Sequence, residues 1–184
     1  MTLRRAAAVM LVLLAGCSFF SKTKIKTYSI DPVPVTTPAA IRGIPIGIET
    51  LELPPGCDRR EIVIRQANQQ LEVRGTELWS ASLQPLALHA LAFDLASRLP
   101  VGMVVLPGQP KPASMRAIDV VFEDLVPGPG NTITLDARWT SGGVAHHERF
   151  TTEIASLDSA NVASGMSQAL ATFADRIVAQ LSAR

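Results

Sequence analysis

Between residues 116 and 139 apolar and polar side chains alternate in two successive runs, and this period of two constrains the chain more than any other feature. Ile118, Val120 and Phe122 alternate with Asp119, Val121 and Glu123, and Ile133, Leu135, Ala137 and Trp139 alternate with Thr134, Asp136 and Arg138. Successive side chains of a strand point to opposite faces, so each run gives a strand with one apolar and one wet side. Pro127-Gly128-Pro129-Gly130 breaks the first run from the second. Ser141-Gly142-Gly143 supplies a tight turn that returns Val144–Ile154 as a third strand. The expected product is a three-stranded antiparallel meander whose apolar face needs a cover.

Two helical patterns can supply it. From Ser159 to Ala183, Val162, Met166, Ala169, Leu170, Phe173, Ile177 and Leu181 form one stripe, with Asp158 or Ser159 as the cap. Met166 and Phe173 read as core. From Ser82 to Leu99, apolar residues recur at spacings of three and four, with Ser82 as N-cap and Pro85 tolerated in the first turn. Leu88, Ala92 and Phe93 make this helix apolar on more than one side, so it either lies buried under the sheet or offers a face to a partner. Upstream, Lys24–Ile30, Ile44–Ile48, Glu61–Arg65 and Gln70–Arg74 read as short strands, the last two joined by a hairpin at Ala67-Asn68-Gln69. Asp31–Pro45 carries Pro32, Pro34, Pro38 and Pro45 and reads as a connector, because proline removes a ladder donor. Strands, helix, strands and helix in that order predict an α+β fold. It is a single domain with a mainly antiparallel sheet and two helices packed on one face.

The N-terminus sets the compartment. Arg4 and Arg5 precede an uncharged run from Ala6 to Ala15. As a helix that run spans roughly 15 Å, about half of a hydrocarbon core, which suits a signal peptide better than a membrane span. Leu14-Ala15-Gly16-Cys17 resembles the bacterial lipobox. That resemblance implies lipidation of the Cys17 thiol, cleavage between Gly16 and Cys17, and acylation of the new amino terminus by fatty acids such as palmitate. The expected organisation is a signal peptide over 1–16, an anchor and tether over 17–27, and an α+β domain over 28–184. Each buried acyl CH₂ contributes about 0.8 kcal/mol, so several chains hold firmly. Ser18, rather than the aspartate that resembles an inner-membrane retention signal, points to the outer membrane facing the periplasm.

Composition excludes several functions. Seventeen basic against 16 acidic groups leave a formal charge of +1, and aromatic residues make up 5%. Neither a basic face nor a stacking platform for nucleic acid is available. With Cys17 lipidated, Cys57 has no partner for an intramolecular disulfide, and it reads as a bland thiol in the turn Pro54–Asp58. His146 and His147 attract notice, but neighbours on a strand face apart and cannot jointly hold one ion without a bulge. The adjacent carboxylates Glu123 and Asp124 face apart for the same reason. His89 lacks a ligand partner four residues away on its helix. No nucleophile elbow, phosphate loop or dinucleotide fingerprint occurs. The expectation is a protein that is not an enzyme and holds neither metal nor cofactor apart from the acyl lipid on Cys17.

An ordered set of segments resembles the PqiC (YmbA) family of ABC-transport auxiliary lipoproteins. After the lipobox come Tyr28-Ser29-Ile30, Leu51-Glu52-Leu53-Pro54, Asp58-Arg59, Ile62-Val63-Ile64-Arg65 and Leu78-Trp79-Ser80-Ala81-Ser82-Leu83. Leu99-Pro100, the Ile118 strand, the Trp139 hairpin and the closing helix complete the order. Family members often place proline just before the leucine of the tryptophan segment, whereas here proline stands at Pro85. The resemblance implies an accessory of a transporter containing an MCE-domain protein and ABC subunits, tying a periplasmic conduit to the outer membrane and supporting membrane integrity. A ring of copies would suit a grip on such a conduit, although no residue pattern singles it out. Trp79, Leu83, Leu88 and Phe93 are the residues expected to form or support a partner face, with Trp79 reading equally as a core anchor. The alternative is a lipid-binding shuttle with its own apolar pocket of several hundred Å³, the usual ligand scale.

Overall fold

The computed structural model describes residues 24–40 and 43–182. Gly16 and Cys17, and with them the signal peptide and most of the tether, lie outside the described residues. The elements are β1 (Lys26–Tyr28), β2 (Ile46–Glu52), β3 (Glu61–Arg65), β4 (Leu71–Trp79), α1 (Leu83–Arg98), β5 (Arg116–Asp124), β6 (Pro127–Gly128), β7 (Thr132–Ser141), β8 (Val144–Glu153) and α2 (Ser159–Ser182). The fold is α+β, with two helices beside two sheets.

In the larger sheet β7 is the hub. It pairs antiparallel with β5 and β6 along one side and with β8 along the other. The meander is therefore present, and its β7–β8 turn has Gly142 and Gly143 both at positive φ, as a two-residue hairpin requires. Pro127-Gly128 does more than break the chain: it resumes the ladder, opposite Ile133 and Thr132. β2 joins β5 in parallel. A parallel pair needs a long crossover, here provided by the smaller sheet and α1. That smaller sheet has the order β1-β4-β3, with β1 parallel and β3 antiparallel to β4. β4 runs on from the expected Gln70–Arg74 segment to Trp79, because its second half is paired by β1.

The core lies between the larger sheet and the helices. Ile118, Val120, Phe122, Ile133, Leu135 and Trp139 meet Val162, Met166, Leu170 and Phe173 from α2 and Leu91 and Leu95 from α1. Phe122 and Phe173 touch edge to face at 5.7 Å. Gly165 lets α2 come close to the sheet, since a Cβ there would stand 2.8 Å from Ile133 Cδ1 and nearer still to Ile154. Asp158 caps α2, accepting from the Ala160 and Asn161 N–H groups at 3.1 and 3.0 Å. Hydrogen bonds from Ser156 and from the Asn161 backbone hold its carboxyl below the ordinary range. Ser82, in contrast, makes no side-chain cap to α1. Asp58 replaces it from the β2–β3 connection, accepting from the Gln84 N–H at 3.0 Å.

Candidate functional site

The segments that carry the family resemblance converge on the start of α1. Tyr28 stands beside Trp79 in the β1–β4 register, and the Tyr28 carbonyl accepts from the Ser80 N–H at 2.8 Å. The Trp79 N–H donates to the Arg60 carbonyl at 2.6 Å. Gln84 Nε2 reaches the Leu51 carbonyl at 2.7 Å. Trp79 and Leu83 are 2% and 5% exposed. They cannot touch a partner directly; they anchor the junction on which a surface could be built. The displaced Pro85 does not delay the helix, which begins at Leu83 with Pro85 in its first turn.

Of the four residues expected at a partner face, Leu88 is half-buried against the core and Phe93 is 37% exposed. Phe93 lies against the His89 ring one turn away, centroids 4.3 Å apart. This small strip is what remains of the second apolar side of α1. Elsewhere α1 is covered by a strap that the sequence reads only as a proline-rich connector. The Val33 N–H donates to Asp94 Oδ1 at 2.7 Å, the Asp31 N–H to Ser167 Oγ at 3.0 Å, and the Ala39 N–H to the Arg98 carbonyl at 2.7 Å. Arg98, itself buried, reaches the Val33 carbonyl at 3.0 Å, Asp94 at 3.3 Å and Asp175 of α2 at 2.6 Å. Burial pushes the Asp94 carboxyl up to about 6, against the Val33 N–H and Arg98, which pull it down. Charges four apart on an otherwise apolar helix were the available signal for this network.

The interior offers little room for a ligand beside Trp79. A cavity of about 10 Å³ there, lined by Cys57, Val63, Trp79, Leu83, Val126 and Met166, holds at most about one water molecule. Two wider clefts of about 240 and 360 Å³ flank α2, and both are open; the first is lined mainly by polar groups such as Asn161 and Gln168, the second by a mixture such as Ser167, Val33 and Ala163. None of the three resembles a dry acyl-chain pocket. Cys57 is buried, and burial pushes its thiol up, away from the reactive thiolate.

The two adjacent histidines separate as the strand period demands. His146 stacks on Trp139 at 4.0 Å. His147 points to the outer face, where its Nε2 lies 2.7 Å from Asp136 Oδ1. Glu123 comes up beside them, so that one donor atom from each of Glu123, Asp136 and His147 lies within 4.8 Å of the others. Asp124, facing away, takes a bidentate pair from Arg65 at 2.7 and 2.9 Å.

The sequence profile of a family described as "ABC-type transport auxiliary lipoprotein component" matches residues 28–178. This chain belongs to that family. The match runs from the last residue of β1 through β2–β8 and α1 and takes in most of α2, so the expected resemblance holds over nearly all of the described domain. A search among curated proteins finds no match. The fold is similar to a crystal structure titled as an uncharacterized protein, with a TM-score of 0.72 at 14% identity, covering 86% of this chain and 99% of that one. It is also similar to protein XCC0632 from Xanthomonas campestris, with a TM-score of 0.60 at 14% identity, covering 84% and 92%. Both likenesses concern the fold. As a member of the family, the chain is a lipoprotein component auxiliary to ABC-type transport. No helix among the described residues is long and apolar enough to cross a membrane.

Proposed function

We propose that this auxiliary component is a non-enzymatic, lipid-anchored module that links an MCE-type lipid transport system to the periplasmic side of the outer membrane and supports envelope integrity. The observation that carries this reading is the family match from Tyr28 to Val178, beginning eleven residues after Cys17. Acyl chains on Cys17 hold the amino terminus, and residues 18–26 reach at most about 30 Å from it. The strap then fixes the chain across both helices through Asp94, Arg98 and Ser167, so a pull on the anchor is passed into the core rather than into a loose end. The His89–Phe93 strip is the part of α1 left to meet an MCE-domain protein or an ABC subunit, with Leu88, Leu83 and Trp79 behind it. The small cavity beside Trp79 favours docking over carrying lipid. No cofactor besides the acyl lipid enters this reading.

Affinity capture of the tagged full chain from detergent-solubilised envelopes, read by mass spectrometry, tests it. An MCE-domain protein together with ABC subunits is expected, and Cys17→Ser is expected to keep both while losing membrane attachment. Recovery of the protein alone with bound lipid would overturn the docking reading in favour of a shuttle.

A further inference from the structure

We propose that the outer face of the larger sheet carries a divalent transition-metal site built from Glu123, Asp136 and His147. This goes beyond the transport role and does not rest on it. The three residues come from three neighbouring strands, β5, β7 and β8, so the sheet and not a flexible loop sets their spacing. Donor atoms of all three lie within 4.8 Å of one another.

Two features of the register produce that convergence. Along β5 the ladder passes from Phe122 opposite Ala137 to Asp124 opposite Asp136, which leaves Glu123 as the extra residue of a bulge. Val121, two residues earlier, stands opposite Arg138, so the strand period already puts Glu123 on the outer face beside Asp136. On β8, His147 stands opposite Arg138, one step along the same face from Asp136, and its ring crosses diagonally to the carboxylate at 2.7 Å. Asp136 is 8% exposed, so the central carboxylate is held in the sheet surface, while Glu123 and His147 are open to an arriving ion.

The cluster now relies on arginine for counter-charge. Arg138 Nε lies 2.6 Å from Glu123 Oε1, and Arg149 lies 3.3 Å from Asp136 Oδ2. Both arginine side chains are mostly in solvent, and such pairs are weak because water screens them. A divalent ion can take the place of both: two carboxylates balance its charge, and the arginines swing out to water. One imidazole nitrogen with two carboxylate oxygens suits Zn²⁺, whereas Ca²⁺ and Mg²⁺ favour all-oxygen sets. Three protein donors leave a fourth tetrahedral position for water. His146, on the opposite face against Trp139, takes no part.

Titration calorimetry of the detergent-solubilised full chain with ZnCl₂, in a buffer free of chelators, tests the site. One ion per chain with micromolar affinity is expected, and CaCl₂ is expected to bind far more weakly. Loss of a mere supporting partner of a metal ligand already costs about 10–100-fold, so His147→Ala and Asp136→Asn are each expected to weaken Zn²⁺ binding at least about tenfold. Arg138→Ala is expected to tighten binding several-fold, since it frees Glu123. Glu72→Gln, an exposed carboxylate on the smaller sheet, serves as the control and should leave Zn²⁺ binding unchanged. Thermal melts keep the result readable if Asp136→Asn perturbs the fold, because His147→Ala and Arg138→Ala alter only exposed groups. Absence of saturable Zn²⁺ binding, binding unchanged in His147→Ala, or weaker binding in Arg138→Ala would each overturn the proposal.

Discussion

The two faces of β7 differ by one residue step and share one backbone, yet they live in opposite environments. Ile133, Leu135, Ala137 and Trp139 are sealed under the helices, where packing density leaves little freedom. Thr134, Asp136, Arg138 and Thr140 face outward, and there Asp136 and Arg138 exchange partners with β5 and β8. The inner face depends on volume, so a change of shape is felt by every neighbour. The outer face depends on charge, so a change there is felt by the few groups it pairs with. Stability therefore belongs to one side of the sheet and adaptable chemistry to the other.

The sharpest way to break this contrast is Trp139→Ala. Truncating a buried aromatic of this size is expected to cost about 3–5 kcal/mol, read from urea unfolding. A loss under about 1 kcal/mol would mean that the inner face is not the tightly filled layer described above.

A second test concerns charge in the wrong environment. Asp94 is fully buried, and its carboxyl is raised to about 6 in the folded chain from an ordinary 3.8. The folded state thus binds the proton more tightly than the unfolded one. The stabilisation is complete below the unfolded value near 3.8 and is lost as pH rises through about 6. Stability should accordingly increase by up to about 3 kcal/mol as pH falls from 7.5 toward 4, set against any opposing carboxylates. Asp94→Asn is expected to remove that increment from the pH dependence of unfolding. An unchanged slope would show that the strap site does not take up a proton.

The smallest effect is expected on the outer face. Val121 sits there half-exposed between charged neighbours, and Val121→Thr should alter the unfolding free energy by no more than about 0.5 kcal/mol. A cost comparable to that of Trp139→Ala would sharpen the picture in a different direction, toward a face covered in solution.

Much of the architecture was legible because it rests on short-range periodicity. The β7 alternation, the double-glycine turn and the α2 stripe each declare themselves within about ten residues, and the structure has all three. The misses involve partners far apart in sequence. Ser82 looked like a cap from local pattern alone, but Asp58 holds the α1 N-terminus from 26 positions away. The proline-rich segment read only as a connector, but its backbone groups find Asp94 and Arg98 more than sixty positions on. Trp79 read equally as a core anchor and as a contact residue, since the two are alike until the neighbours are placed, and the structure buries it with Leu83.

The sequence by itself determined the fold class, the order of strands and helices and the family. Those follow from periodic patterns, turn residues and an ordered set of short segments, all of which are properties of the chain taken a few residues at a time. Only the tertiary structure decided which apolar side of α1 is covered, how little space remains beside Trp79, and that Glu123, Asp136 and His147 meet. The first two depend on how completely side chains from distant segments fill a shared volume. The last depends on strand register, where a shift of one residue would have sent Glu123 and Asp136 to opposite faces.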